Sequence, residues 1–321
     1  MKYSLICLTL ISSCCFASLT IRDGKLVQRE EASTLPLQEH YSALMQAYEQ
    51  QNWKELEKEA LIISKSFPKT PYGRDALYFL GVSYFNQEDF ELSNKQFKEY
   101  LTQEASPKYF EEAIQYKFEI ADQYRNGARK HLLGMKSMPK WAPADDEALE
   151  IYDEVISALP HNEMAARALF GKAKIQAKGE DYRASIETYQ TLIRRFTKHP
   201  LAVESYIGIG EIYLEQSKAE YPDPDFLDLA ELNLRKFKTS FPSEEKIEIA
   251  TENLRKMQDI FANSLYETAQ FYERTKKWSA AKIYYTKILA SFPDSTPATQ
   301  SRSRLEVVNV KASELDARRA K

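Results

Sequence analysis

The chain has 321 residues, with 44 lysines and arginines against 47 aspartates and glutamates, a formal charge of −3. Nine glycines are far fewer than a Rossmann sheet, a barrel or a sandwich needs at its turns, and the near-neutral balance gives no electrostatic footprint for DNA or RNA. The composition is that of a folded chain rather than a multi-span membrane protein or a disordered polymer, and 20 tyrosines with 16 phenylalanines point to aromatic packing.

The first residues read as an export signal. Lys2 is a minimal positive start, and Tyr3 to Ile11 is an apolar run too short to span a bilayer. Two cleavage readings stand. Ile11-Ser12-Ser13-Cys14 resembles a bacterial lipobox, in which Cys14 takes the lipid; Cys15-Phe16-Ala17 fits ordinary signal cleavage. The lipobox is favoured because Cys7, Cys14 and Cys15 are the only cysteines, so it gives a reason for one at that point. The same fact leaves no thiol in the body for a disulfide, a zinc site or a nucleophile. Residues 1–17 are thus expected to be a signal segment of lipoprotein type. Residues 18–36 are expected to be a tether with a turn at Asp23-Gly24, and residues 37–321 a helical body.

That body is repetitive. Phe67-Pro68, Leu159-Pro160, Phe241-Pro242 and Phe292-Pro293 each close a ladder of apolar and small residues spaced by three and four. The first is Trp53, Leu56, Ala60, Ile63, Phe67 and the last Trp278, Ala281, Tyr285, Ile288, Phe292. Ala148 to Leu159 and Leu227 to Phe241 follow the same rule; Phe90 to Tyr100 and Tyr182 to Phe196 do so without the proline. Such spacing places each set on one helix face, and proline stops the helix. Upstream partners carry a small residue and then a tyrosine, as in Gly81 and Tyr84, Gly210 and Tyr213, or Ala269 and Tyr272. This is the tetratricopeptide (TPR) pattern. The expected fold is all-α: a TPR-type α-solenoid of about six helix-turn-helix repeats, with a capping helix from Ala298 to about Arg318. Stacked pairs share a core that no pair builds alone, and their first helices face a concave side open to a peptide.

Catalytic patterns are wanting. His40, His131, His161 and His199 are scattered, and no HExxH, GxSxG or P-loop occurs. Gly208-Ile209-Gly210 lies inside a helical pattern and reads as two close-packing positions. Asp225 with Asp228 resembles a capping box, and Asp145-Asp146-Glu147 suits a helix N-terminus; both clusters read as caps rather than metal ligands. No enzyme activity, cofactor or metal is expected.

Two features suggest binding. Helical register puts Gly81 and Tyr84 in the inter-helix core and Tyr41, Tyr48, Tyr78 and Phe85 on the concave side, where aromatics can hold an apolar peptide. The plainer reading is that a tight inner face fills itself. The insertion from Asn126 to Ala144 carries Arg129, Lys130, Lys136 and Lys140 with Met135, Met138 and Trp141, and no acid before Asp145. Such a loop suits an acidic partner or anionic lipid, or is simply solvated.

Two junctions carry a family resemblance. Ser66-Phe67-Pro68-Lys69-Thr70-Pro71-Tyr72-Gly73, running on into Leu77-Tyr78 and Tyr84, is similar to the junction between the first two repeats of the BamD family, the lipoproteins of the outer-membrane β-barrel assembly machine. Leu265 to Arg274, then Trp278 and Ser291-Phe292-Pro293-Asp294-Ser295, resembles that family's last full repeat. The chain departs from the family in holding six repeats where five are usual. The resemblance implies a non-enzymatic lipoprotein on the periplasmic face of the outer membrane, anchored through Cys14. It implies binding of a BamA-like barrel protein's periplasmic domains by the C-terminal repeats. It also implies capture of unfolded outer-membrane proteins near Pro71, Tyr72 and the inner-face aromatics. The alternative is another periplasmic TPR adaptor in envelope division or secretion.

Overall fold

The computed structural model describes residues 19–22, 25–28, 35–103, 105–132, 138–219 and 223–319, with side chains for 35–314 of these. Cys14, the signal segment and Lys136 lie outside the described residues. Within the expected tether, β1 (Leu19–Arg22) and β2 (Lys25–Gln28) pair antiparallel with Arg22 opposite Lys25. They flank Asp23-Gly24, a dipeptide favoured between hairpin strands.

The body is all-α and TPR-like. Its helices come in pairs: α1 (Leu37–Glu49) and α2 (Trp53–Ser66), α3 (Pro71–Asn86) and α4 (Phe90–Thr102), then α5 (Phe110–Arg125) and α6 (Asp145–Ala158). There follow α7 (Glu163–Lys178) and α8 (Tyr182–Arg195), α9 (Pro200–Gln216) and α10 (Asp225–Ser240), and α11 (Ile247–Arg274) and α12 (Trp278–Ser291). α13 (Thr296–Arg319) ends the series. Each of the six ladders is the second helix of a pair, and the ladder residues Leu56, Ala60, Ile63, Phe97, Tyr152, Val155, Phe237, Ala281, Tyr285 and Ile288 are buried.

Two turns recur. Between the helices of a pair, Gln51, Glu88, Glu180 and Lys276 take φ of 55° to 60°. The next residue caps the second helix at three of these places: Asn52 accepts from Glu55 N, Asp89 from Leu92 N and Asp181 from Ala184 N. Between pairs, the side chain three residues after the closing aromatic or leucine caps the next first helix. Thr70 Oγ1 accepts from Gly73 N at 3.0 Å and donates to Phe67 O at 2.8 Å. Ser295 Oγ repeats this between Phe292 O and Ala298 N. Asn162 Oδ1 and His199 Nδ1 each accept from an amide two residues on.

Proline is not what stops these helices. Phe196, followed by threonine, ends α8 at φ −124°, ψ 56°, beside −130°, 43° for Phe67 and −134°, 55° for Phe292. All three helices end in the same non-helical cap, and the closing ring stays half-buried whether or not proline follows.

The chain divides into two compact units, residues 1–120 and 121–321, with the boundary inside α5. In the first, α3 packs on α2 and α4 with nearly every side chain from Ala76 to Tyr84 buried. In the second, α6 to α10 pack in chain order, and the 28-residue α11 lies against α9, α10, α12 and α13.

Three local expectations need correcting. Asp225 is the first residue of α10, not its cap; Pro224 stands at the cap position and Asp223 Oδ1 accepts the Asp225 amide at 3.0 Å. Gly208 is a close-packing position, where a Cβ would meet the Tyr189 ring at 2.8 Å, but at Gly210 the nearest atom is 4.0 Å away. The insertion before α6 is not purely loop: β3 (Lys130–His131) and β4 (Lys140–Ala142) pair antiparallel.

Candidate functional site

The first unit carries a wall of aromatic rings on the first helices α1, α3 and α5. Tyr78 lies at its centre, 4% exposed and stacked on Tyr109 at 4.4 Å between centroids. Phe79, Phe97, Tyr100 and Tyr116 complete its surroundings at 5.3 to 6.4 Å. The accessible rings sit around this support. Tyr41 packs on Tyr72 at 4.6 Å, Tyr48 on Phe79 at 5.3 Å, and Phe85 on Tyr116 at 5.1 Å.

Tyr41, Tyr48 and Phe85 are half-buried, Pro71 is exposed, and Tyr72 is 40% exposed. Tyr78 is therefore the backing of the wall and cannot touch a bound chain without moving. Gly81 and Tyr84 lie in the inter-helix core as register expected. Pro71 occupies the first turn of α3, where its missing N–H costs nothing.

Tyr109 and Tyr116 belong to the wall but not to the set chosen from the sequence. Tyr109 precedes α5 and is fixed when its amide donates to the Tyr100 hydroxyl at 2.8 Å. Tyr116 stacks on Phe97 at 5.2 Å. The α5 spacing Tyr109, Tyr116, Tyr124 was the available signal.

Burial pushes the Tyr100 and Tyr116 hydroxyls up to about 12. Tyr84 is also pushed to about 12, by burial and then by Glu57, and Tyr41 is raised by burial and the neighbouring Tyr109. These phenols stay neutral. They present flat apolar faces with polar tips, which suits holding a peptide rather than transferring protons. The Lys108 ammonium lies 4.6 Å from the Tyr109 ring centroid and puts positive charge beside the wall.

The insertion of the second unit is less free to grip a partner than its composition implied. Arg129 donates to the Trp141 carbonyl at 2.8 Å, and Lys130 pairs with Glu147 in the first turn of α6. Both cations thus help to hold the β3–β4 ribbon. Trp141 is 68% exposed and Lys140 is exposed beside it. At the other end of this unit, Glu273 of α11 accepts from the Tyr285 hydroxyl of α12 at 2.8 Å and pairs with Arg304 of α13, tying three helices together.

Among the described residues, no group of three or more His, Cys, Asp or Glu side chains is placed to hold a metal ion. None of their helices is long and apolar enough to cross a membrane.

A family model described as YfiO, outer membrane lipoprotein, matches residues 144–321, from the start of α6 to the end of the chain. The junction around Phe292 falls inside that match and the junction around Phe67 outside it. No curated protein matches. Among solved structures the chain is similar to a thermophilic TPR protein of Thermus thermophilus, at 13% identity over 68% of this chain and 99% of that one, TM-score 0.32. It is also similar to a Rap protein complexed with competence and sporulation factor, at 15% identity over 86% of this chain and 75% of that one, TM-score 0.32.

Proposed function

The chain belongs to the YfiO (BamD) family of outer membrane lipoproteins, and from that membership we propose that it is a non-catalytic subunit of a β-barrel assembly machine. It sits on the periplasmic face of the outer membrane, held by lipid on Cys14. Its C-terminal repeats dock a BamA-like barrel protein's periplasmic domains. Its first unit receives unfolded outer-membrane protein segments along the wall of Tyr41, Tyr48, Tyr72 and Phe85. The observation that carries this reading is the family match over α6 to α13; the aromatic wall supports the substrate-binding half.

Mechanistically, an extended segment lies across half-buried rings that exclude water on one side. Tyrosine hydroxyls and Lys108 meet its polar backbone and terminal carboxylate. Nothing in such contact closes a sheet, so the segment is held without being folded. The insertion, with Trp141 and Lys140 exposed, offers an additional partner or lipid contact.

Affinity purification from detergent-solubilised envelopes tests the reading. A co-purifying barrel-assembly partner is the expected result; a complement of division or secretion proteins in its place favours the other adaptor role. A Tyr48→Ala/Tyr72→Ala variant should bind a C-terminal barrel-strand peptide about tenfold more weakly, since two aromatic contacts are lost. Cys14→Ala should move the protein from the membrane to the soluble fraction, and unchanged fractionation would discredit acylation.

A further inference from the structure

α10 carries more apolar side chains than its core needs. Ala230, Leu234 and Phe237 turn inward and Leu227 packs beside them, but Leu229 and Leu232 stay 41% and 40% exposed. The two exposed leucines line an open cavity of about 250 Å³ that Ile193 of α8 also lines, with Tyr206, Ile209 and Tyr213 of α9 beneath.

The base of this groove is preformed. Tyr206 stacks on Phe237 at 5.1 Å, and Asn233 Nδ2 donates to the Tyr206 carbonyl at 2.8 Å, fixing α10 against α9. Its rim is one-signed. Arg194 and Lys236 line it and are exposed, and no carboxylate is among the residues lining it. Arg194 donates to the neutral Thr191 hydroxyl at 2.9 Å. Among the described residues neither cation is ion-paired. A chain with a net charge of −3 thus places two uncompensated cations beside exposed leucines.

We propose that the groove between α8 and α10 docks an acidic amphipathic helix of a partner protein. Apolar side chains of that helix fill the cavity between Ile193, Leu229 and Leu232, and flanking Asp or Glu side chains meet Arg194 and Lys236. A groove between two helices, with an apolar floor and charged edges, fits the recognition of helices through anchors at i, i+3 or i+4, and i+7. The opposite charges steer the helix and set its direction. The groove is formed by second helices over α9, all within the second unit. The proposal deepens the partner-binding half of the function given above and rests on that reading for its context.

The test uses the full chain and two fluorescent amphipathic peptides of roughly four turns. They share one leucine pattern and carry either glutamate or lysine at the polar positions. Anisotropy should show the glutamate peptide binding about tenfold or more tightly than the lysine peptide, with the preference shrinking in high salt. Arg194→Glu/Lys236→Glu should invert the preference. Leu229→Ser/Leu232→Ser should weaken both peptides about tenfold with the melting temperature kept. Equal affinity for the two peptides, indifference to the charge exchange, or no binding would overturn the proposal. If the peptides fail while a barrel-assembly partner still co-purifies, the groove assignment falls alone. If the peptides bind but no such partner co-purifies, the groove stands and the assembly reading falls.

Discussion

The ring of Phe97 lies against Gly81 so closely that a Cβ at position 81 would sit 2.6 Å from its Cε1 atom. Phe97 is fully buried and cannot swing aside. Gly81→Ala should therefore destabilise the protein by about 1–3 kcal/mol through overpacking. Gly210→Ala, whose Cβ would meet nothing nearer than Asn233 Nδ2 at 4.0 Å, should be neutral or raise stability by up to about 1 kcal/mol from helix propensity. Urea unfolding of the two variants checks both signs; equal destabilisation would mean that the register of α9 differs from that described.

The turn before α12 lacks what its counterparts have. Lys277 has φ −88°, ψ 66°, close to the capping residue Asp181 at −78°, 66°, but makes no side-chain cap. Lys277→Asp should add a cap and place negative charge at a helix N-terminus, for a gain of about 0.5–1 kcal/mol. The 5.8 Å approach of Lys277 to the Tyr272 ring is lost in exchange. Thermal denaturation should show the increase, and none is expected from Lys276→Asp one residue earlier.

At alkaline pH the buried phenols should weaken the fold. Tyr84, Tyr100 and Tyr116 are held at about 12 against 10 for an exposed tyrosine. Below pH 10 both folded and unfolded states keep these protons, so stability is unaffected. Above it the unfolded state releases them first and binds fewer protons, so stability falls as pH rises from about 10 to about 12. Urea midpoints across this range, with tyrosinate absorbance as the probe of ionisation, give the test. A midpoint constant to pH 12 would show that these hydroxyls ionise as freely folded as unfolded.

Ala281 is fully buried in the cluster shared by α11, α12 and α13. Ala281→Asp should cost several kcal/mol, because it buries a carboxyl group without a partner and overfills the site. Ile283→Asp on the same helix, at a position 65% exposed, should be close to neutral. A melting curve unchanged by the first variant would contradict the register of the ladder.

The helix pairs were readable because one geometric constraint repeats. In five of the six second helices a small residue is followed four positions later by a large one, so Ser93, Ala148, Ser185, Ala230 and Ala281 recur in fixed relation to Phe97, Tyr152, Tyr189, Leu234 and Tyr285, while α2 reverses the order with Leu56 and Ala60. The caps Thr70, Asn162, His199 and Ser295 were harder to see, since four different side chains supply one acceptor. The aromatic wall was the least legible part. Helical register says which way Tyr78 points but not that Tyr109 and Tyr116, brought in by α5, close over it. Likewise the composition of the insertion does not show that Trp141 O and Glu147 hold Arg129 and Lys130.

α11 is one uninterrupted helix of 28 residues, about 42 Å long, and it takes part in the packing of both final pairs. Ordinary repeat arrays fray from the end one pair at a time, because each pair leans only on the next. Here a single rod serves two storeys, so loosening α12 and α13 strips support from α9 and α10 as well. In hydrogen exchange, amides from Leu201 to the end of the packed chain should open together, giving this end one shared threshold in place of a graded peel.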